Sequence, residues 1–390
     1  MEYRICRDGD YPALRRLWGQ CFGEEEPWTS WYFSHHYKTE HTWVGIKDGT
    51  VAAQAHLLPH RLYLRGAWRQ AAYFVGVCVD ESLRGGGYGR AIMATALAEL
   101  RKKDIRISIL QPRWPEFYRP LGWDYCYSRR FYHLPLAVAE ALQPETSVSD
   151  GQWLADVEDF DPLPKLYEEF VQPYHGYVDR RPDDWRRMLA DHRGDGGRVG
   201  LLLERTRPAG YVLYKVDAEL IRVREMVWHG QAGLESMWKR LLEQAREGGA
   251  CRLEWEDPSG DSGAAQFVAS HSEPFLMGRL TDCQAVLTAM DYPAGLTADL
   301  SLELTDPLAA WNAGRFRWKI GSGRCSFAAE PSAGQPDIIL SVALLSQLYF
   351  GQQPVDELWK ASGEPLPEPS VLAVLTQIFP PCRNFISEYF

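Results

Sequence analysis

The most informative segment of the sequence is Val75-Gly76-Val77-Cys78-Val79-Asp80-Glu81-Ser82-Leu83-Arg84-Gly85-Gly86-Gly87-Tyr88-Gly89-Arg90, in which an apolar run leads into a glycine-rich loop. An amphipathic helix pattern then continues to Lys102. Glycines let successive backbone N–H groups surround an anion, and the start of a helix adds unpaired N–H groups and a positive dipole end. The segment therefore predicts a pyrophosphate-binding loop made of Arg84, Gly85, Gly87, Gly89 and Arg90, with the two arginines adding charge-assisted contacts.

The position of this loop and its sequence exclude two other phosphate-binding folds. A dinucleotide fold places its glycines near the start of a βαβ unit. Here two helical patterns and two strand patterns precede the strand that leads into the loop: Tyr11–Cys21, a run that ends at His36, Thr42–Lys47 and 51–58. Asp10 and Thr29 are the predicted N-caps of the two helices. No Gly-Lys-Ser/Thr closes the loop, so a nucleotide P-loop is also excluded.

The pattern of alternating elements continues after the loop and then recurs in a weaker form. A strand at 105–110, a helix at 115–118 and one strand at 123–136 complete the first copy. The second copy has predicted strands at 199–204, 210–216, 220–228 and 251–255, with a helix at 232–246. Its loop position holds Trp228-His229-Gly230-Gln231-Ala232-Gly233, which lacks the glycine pattern. This predicts a duplicated fold whose second copy no longer binds a phosphate.

The last third of the chain has a different pattern. Strands are predicted at 284–289, 301–304 and 337–340, and helices at 341–349 and 370–378. We therefore predict three domains, with boundaries at 1–140, 141–278 and 279–390.

Composition narrows the function classes. The net charge of −10 disfavours binding to nucleic acid or anionic membranes and weakly favours a cationic partner. The 8 cysteines show neither a C-x-x-C spacing nor a ligand set with histidines, so no metal site is predicted and the thiols are expected to be reduced. The N-terminus has no signal-peptide core and no run reaches the length of a membrane span, which predicts a soluble, cytoplasmic protein.

Two motifs carry a resemblance to a known superfamily. Arg84-x-x-Gly87-x-Gly89 matches the acyl-CoA loop of the GNAT acetyltransferases, and Phe117-Tyr118-Arg119-Pro120-Leu121-Gly122-Trp123 resembles their later F-Y-x-x-x-G-[FW] segment. The C-terminal stretches 306–312 and 344–351 are similar to sterol-carrier folds. This layout resembles the Eis (enhanced intracellular survival) family. It implies an α+β fold with a duplicated mixed-sheet GNAT domain and a C-terminal α/β sterol-carrier-like domain.

The resemblance also implies a chemistry. Acetyl-CoA would be the acyl donor, with its pantetheine arm held by the backbone of Val77 and Val79. Tyr118 would be the general acid and the terminal carboxylate of Phe390 the general base. The acceptor would be an aminoglycoside or a lysine or peptide amine, and the assembly a homo-oligomer, expected to be a hexamer.

The residues themselves leave alternatives open. Glu24, Glu25 and Trp31 suit the binding of a polycationic amine, but a solvated acidic loop fits the first two equally well. Tyr118 is also consistent with a buried structural tyrosine, and Phe390 with a packing aromatic or a frayed tail. Histidines such as His56 can act as bases, although such isolated histidines are more often structural. Two other functions stay open: a long-chain protein N-acyltransferase, and a non-catalytic scaffold that binds a sterol or lipid.

Overall fold

The computed structural model describes residues 1–23, 26–141, 151–158, 160–258, 270–331 and 334–388. Three of the predicted site residues, Glu24, Glu25 and Phe390, lie outside these ranges. The chain divides into two compact units. Unit 1 comprises Met1–Tyr127 and Phe275–Cys382, and unit 2 comprises Ser128–Pro274 and the segment 383–388.

The described elements are named in chain order. The strands are β1 (Glu2–Ile5), β2 (Thr42–Lys47), β3 (Thr50–Leu64), β4 (Ala67–Val79), β5 (Ile107–Leu110), β6 (Asp124–Tyr125), β7 (Ser128–Pro135), β8 (Gln152–Leu154), β9 (Arg198–Glu204), β10 (Arg207–Asp217), β11 (Leu220–Trp228), β12 (Arg252–Asp257), β13 (Ser270–Pro274), β14 (Met277–Leu280), β15 (Ala298–Thr305), β16 (Gly314–Gly321), β17 (Arg324–Ala329) and β18 (Ile338–Ser341). The helices are α1 (Tyr11–Phe22), α2 (Trp28–His35), α3 (Tyr88–Lys102), α4 (Pro115–Tyr118), α5 (Leu136–Ala141), α6 (Pro162–Val171), α7 (Pro182–Gly194), α8 (Gly230–Glu247), α9 (Cys283–Thr288), α10 (Val342–Phe350), α11 (Val355–Ser362) and α12 (Pro369–Ile378).

The first sheet of unit 1 has the strand order β1-β2-β3-β4-β5-β14-β6. β4 and β5 are parallel, and the other pairs are antiparallel. Helix α3 packs its apolar face on this sheet, because Ile92, Met93, Ala96, Leu97 and Leu100 all belong to the buried core cluster. Strand β14 comes from a distant part of the chain, and its ends, Met277 and Leu280, are fully buried.

The sheet of unit 2 has the corresponding order β13-β7-β12-β11-β10-β9-β8. In each sheet the strand next to one edge comes from a part of the chain that is remote from both its neighbours. This strand is β14 in the first sheet, between β5 and β6, and β7 in the second, between β13 and β12. The single strand predicted at 123–136 is wrong, because the structure has two strands there, β6 in the first sheet and β7 in the second. It divides at Cys126 and Tyr127, whose backbone N–H groups both bond to the Leu276 carbonyl oxygen, at 2.9 and 3.2 Å.

Unit 1 also holds a second sheet, which has four strands in the order β17-β16-β15-β18. Helices α9 to α12 belong to the same part of the sequence as these strands. The strand predicted at 284–289 is wrong, because this segment forms helix α9. Asp282 caps that helix by accepting a hydrogen bond from the Ala285 N–H, at 2.9 Å.

Of the two predicted caps, Asp10 is confirmed in position and Thr29 is wrong. Asp10 is the N-cap residue of α1, but its carboxylate accepts hydrogen bonds from Arg4 at 2.6 and 2.9 Å instead of bonding the helix amides. Thr29 lies inside the first turn of α2, whose N-cap is Pro27, and its side chain is buried. The mixed α+β architecture and the duplication predicted from the sequence are confirmed by the helices and the two seven-stranded sheets.

Candidate active site

An open edge of β4 forms one side of the site. The ladder between β4 and β5 ends at the pair Phe74–Leu110, although β4 continues to Val79. A bulge at Gly76 marks this departure, with φ at +62°. A Cβ at Gly76 would lie 2.2 Å from the ring of Trp18, so the close approach of α1 requires glycine here. The edge from 75 to 79, which includes Val77 and Val79, is thus left without a β5 partner.

The glycine-rich loop continues directly from this edge. Asp80 stabilises its first turn by accepting hydrogen bonds from the Ser82 N–H at 3.0 Å and hydroxyl at 2.6 Å. Gly85 and Gly87 adopt left-handed backbone conformations, with φ at +79° and +78°, and both are exposed. Gly87 is the N-cap of α3 and has no side chain to bond the first amides of the helix. These exposed donors at a helix N-terminus fit a pyrophosphate group.

The two loop arginines have different surroundings. Arg84 is exposed, with its guanidinium 4.0 Å from Glu81 and 3.8 Å from the Cys21 sulfur. Arg90 is also exposed, but its guanidinium hydrogen-bonds the carbonyl oxygen of Pro307. Arg84 therefore lies beside the strand that leads into the loop, whereas Arg90 contacts the segment after β15.

Tyr118 faces the same region from α4. A Cβ at Gly89 would lie 3.0 Å from the Phe117 ring and 3.6 Å from Val79, so the end of β4, the first turn of α3 and helix α4 converge here. The ring of Tyr118 packs edge-on to Phe117, with 4.9 Å between centroids. Its hydroxyl bonds none of the residues within the described ranges. Burial, with a smaller contribution from the nearby Cys78 thiol, raises the pKa of Tyr118 to about 12.

A cluster of aromatic rings lies on the opposite side of the sheet from α3. His56 of β3 is 1% exposed, and its Nδ1 is 2.8 Å from the Tyr32 hydroxyl of α2. Burial lowers the pKa of His56 to about 3, so the ring is neutral at physiological pH. Trp18 stacks on Tyr32 with 4.8 Å between centroids, and Trp31 stacks on His35 with 4.7 Å. Trp31 is half-buried at the outer end of this cluster.

Two of these relationships were not predicted from the sequence. They are the Trp18–Gly76 contact and the His56–Tyr32 pair. A glycine within a strand pattern can mark a bulge, so the sequence did hold a signal for the bulge at Gly76. The partner of His56 depends on how α2 packs on the sheet.

Three domain families match parts of the chain. Residues 2–126 and 176–279 match two families of acetyltransferase (GNAT) domain, and residues 283–387 match the sterol carrier protein domain. The chain therefore contains two GNAT acetyltransferase domains and a sterol carrier protein domain. Its fold implies the use of an acyl-CoA donor, and the predicted order of two GNAT domains followed by a sterol-carrier domain is confirmed.

Solved structures share the fold of this protein along the whole chain. A GCN5-related N-acetyltransferase from Anabaena variabilis is 21% identical, with a TM-score of 0.83 and 100% of both chains covered. A probable N-acyltransferase from Enterococcus faecalis (18%, TM-score 0.85) and Eis1 from Mycobacterium abscessus (18%, TM-score 0.80) also match over 100% of both chains. A comparison with curated proteins finds no significant match.

Two further searches cover only the described residues. Within these ranges, no group of three or more His, Cys, Asp or Glu side chains is arranged to hold a metal ion. None of the helices there combines the length and apolar character that a membrane span needs.

Proposed function

We propose that the first GNAT domain transfers an acetyl group from acetyl-CoA to a primary amine of a polycationic acceptor, such as an aminoglycoside or a lysine or peptide amine. The observation that carries the proposal is the convergence of three features. The unpaired edge of β4, the exposed amides of the glycine-rich loop and helix α4, which carries Tyr118 next to Phe117, meet around Gly89. The unpaired backbone groups of the β4 edge can hydrogen-bond the amides of pantetheine, and the N–H groups of the loop can bind the pyrophosphate. The Tyr118 hydroxyl can give a proton to the departing thiolate.

Tyr118 has the properties of a general acid for this reaction. With a pKa of about 12 the phenol is protonated at every physiological pH. The amine attacks the thioester carbonyl, the C–S bond breaks, and the CoA thiolate takes the phenolic proton. The low-polarity surroundings that favour the neutral phenol also disfavour a bare thiolate, so the proton transfer accompanies bond cleavage.

The general base in this proposal is the terminal carboxylate of Phe390, which removes a proton from the ammonium group of the acceptor and so gives the neutral amine that attacks. An α-carboxyl in water has a pKa of about 3.5 and is a weak base. Burial beside the acceptor would raise that pKa and strengthen the base.

Charge and aromatic surface support a cationic acceptor. The chain has a net charge of −10, which favours the approach of cations over anions. The half-buried ring of Trp31 offers a face for a cation, and Glu24 and Glu25 would supply carboxylates nearby in the sequence.

Release of CoA thiol from acetyl-CoA tests the proposal, with aminoglycosides, polyamines and lysine peptides as acceptors. Two variants separate the carboxylate of Phe390 from its ring. A Gly-Ser extension keeps the ring and moves the carboxylate, whereas Phe390→Leu keeps the carboxylate. We expect the extension to abolish turnover and Phe390→Leu to retain most of it. Equal activity of both variants with the wild type would remove the terminal base from the mechanism.

The donor and the alternative functions are tested separately. Stronger thermal stabilisation by palmitoyl-CoA than by acetyl-CoA would indicate a long-chain acyltransferase. Absence of turnover with every acyl donor would favour the scaffold that binds a lipid. The proposal also includes a hexamer in the cytoplasm, and light scattering of the purified chain measures the assembly size directly.

A further inference from the structure

An open groove lies in the sterol carrier protein domain, where β15 ends and β16 begins. Its volume is about 520 Å³, and residues 303–307 and 313–315 line it. The lining includes Glu303 and Arg315, which are directly opposite each other on the two strands, and the exposed Pro307. Pockets that bind small molecules typically measure about 300–1,000 Å³, so the groove is large enough for a ligand.

This groove lies beside the first turn of α3. Nη2 of Arg90 donates a hydrogen bond to the carbonyl oxygen of Pro307, which is part of the lining. Further along the same helix, the guanidinium of Arg101 lies 5.1 Å from the centroid of the Trp311 ring, so the segment after β15 follows α3. Arg90 comes three residues after Gly87, the N-cap of the helix. The groove therefore begins next to the glycine-rich loop.

The charged groups at the groove suit a phosphate together with a hydrogen-bond donor. Asp306 is part of the lining, but its side chain is 0% exposed and forms a buried ion pair with Arg279. The other charges are the guanidinium groups of Arg90 and Arg315 and the carboxylate of Glu303. Within the described ranges, Glu303 has no ion-pair partner, so its oxygens can accept a hydrogen bond from a ligand. Two positive charges and one negative charge leave the groove locally positive.

We propose that this groove binds the adenosine 3′-phosphate end of the acyl-CoA donor. Arg315 and Arg90 bind the 3′-phosphate by charge-assisted hydrogen bonds, and Glu303 accepts a hydrogen bond from the 6-amino group of adenine. The sterol carrier protein domain thus completes the donor site of the first GNAT domain. This assignment rests on the acyl-CoA donor of the proposed function, but it concerns binding and not the transfer reaction.

The geometry of α3 separates the two ends of CoA. Consecutive residues of a helix point about 100° apart. Gly89 approaches Phe117 of α4, whereas Arg90 reaches Pro307. Pantetheine, which continues from the pyrophosphate along the β4 edge, lies on the Gly89 side. The nucleotide, on the other side of the pyrophosphate, is then directed toward Arg90 and the groove.

Calorimetry with the full-length protein tests the role of Arg315. We expect the wild type to bind CoA about tenfold more tightly than dephospho-CoA, because the 3′-phosphate adds a charge-assisted contact. Arg315→Ala should lose this preference and bind 4′-phosphopantetheine, which lacks the nucleotide, as the wild type does. Arg317→Ala is the matched control, because Arg317 lies on the same strand and pairs with Asp299 and Glu330 outside the groove. It should keep the wild-type preference.

Photolabelling locates the adenine directly. The protein is irradiated with an 8-azidoadenine analogue of CoA and digested with trypsin, and the labelled peptide is identified by mass spectrometry. We expect the label in the peptide 280–315, which contains the groove, and expect excess CoA to prevent it. The rival position is the exposed Trp114 before α4, in the peptide 114–129. Label there, or in any other peptide, would overturn the proposal.

The outcomes separate the groove from the reaction. An unchanged preference for CoA in Arg315→Ala would overturn the groove assignment, as would a wild type that does not distinguish CoA from dephospho-CoA. A wild type that binds no CoA would overturn both the groove and the proposed donor. If the preference is lost in Arg315→Ala but no acceptor is acetylated, the groove stands and the proposed transfer fails. Circular dichroism verifies that each variant is folded.

Discussion

At the residue scale, the hydroxyl of Tyr118 gives a clean test because removing it leaves the packing intact. We expect Tyr118→Phe to lower kcat by about 100-fold or more, the usual contribution of a general acid. The KM for acetyl-CoA and the melting temperature should change little, since the hydroxyl bonds no residue in the described ranges. Tyr125→Phe, a change in the same core cluster, is the matched control and should retain activity. A loss under threefold in Tyr118→Phe would assign the tyrosine a structural role.

His56 gives a second residue-scale prediction, on pH and stability. Its folded pKa of about 3 lies below the unfolded value, so the unfolded chain binds the proton more readily. The stability that neutral His56 contributes is therefore fully present above about pH 6.5. It falls by about 1.4 kcal/mol per pH unit as the pH decreases toward 3. In urea titrations at pH 7, 6 and 5, the destabilisation caused by His56→Gln should shrink as the pH falls. A constant difference would contradict this, and exposed His35→Gln is the control.

At the element scale, the bulge in β4 is tested by comparing two glycines. Gly76 and Gly49 both have positive φ, at +62° and +78°, but only Gly76 has a ring where its Cβ would lie. Both alanine substitutions strain the backbone by about 1 kcal/mol or more. We expect Gly76→Ala to cost about 1–3 kcal/mol beyond Gly49→Ala, because Trp18 must move, and to weaken acetyl-CoA binding. Equal melting temperatures and affinities in the two variants would show that the bulge does not fix the strand edge.

The elements also show how far the sequence alone determines the structure. Periodicity predicted β2 and α4 with their observed limits, and the glycine pattern predicted the loop, because these signals lie within a few consecutive residues. The insertion of β14 beside β5 was not predictable in this way, since the two strands are more than 150 residues apart in sequence. The His56–Tyr32 pair was missed because the partner of His56 depends on how α2 packs on the sheet. Asp10 is the N-cap residue as predicted, but it makes no capping bond because Arg4 offers its carboxylate a charged partner.

At the scale of the whole molecule, a buried ion pair connects the first sheet of unit 1 with the sterol-carrier segment. Arg279 of β14 and Asp306 are both 0% exposed, with 2.6 Å between Nη2 and the carboxylate oxygens. The guanidinium also donates to the Leu121 carbonyl oxygen and lies 4.8 Å from the Trp123 ring. A side chain at Gly122 would clash with it, which explains the glycine there.

Breaking this pair should destabilise unit 1. Asp306→Asn leaves a buried guanidinium without its counter-charge, which typically costs about 3–5 kcal/mol. We expect a clear loss of stability in urea unfolding. The double variant Arg279→Met/Asp306→Leu should recover part of it, because it removes both charges. If Asp306→Asn unfolds at the same urea concentration as the wild type, the pair does not hold the two sheets together.

Within unit 2, a second buried cluster holds the last described residues of the chain. Arg180 and Glu225 have side chains that are 2% and 1% exposed and lie 2.7 Å apart. Arg180 also bonds the carboxylate of Glu388 and the hydroxyl of Ser387, each at 2.7 Å. Backbone hydrogen bonds between His175 and both Arg383 and Phe385 fix the start of the same segment. The chain is therefore anchored up to Glu388, two residues before Phe390.

Substitution of Ser387 or Glu388 should free the end of the chain and leave the buried Arg180–Glu225 pair in place. We expect Glu388→Gln and Ser387→Ala to accelerate removal of the last residues by carboxypeptidase about tenfold, since local opening would cost about 1.4 kcal/mol less. Lys360→Gln, which removes an exposed ion pair, should lose its last residues to carboxypeptidase at the wild-type rate. If Phe390 supplies the base, acetyl transfer should decay with the same half-time as its release, measured by mass spectrometry. Activity that persists after complete loss of Phe390 would separate the anchored tail from the chemistry.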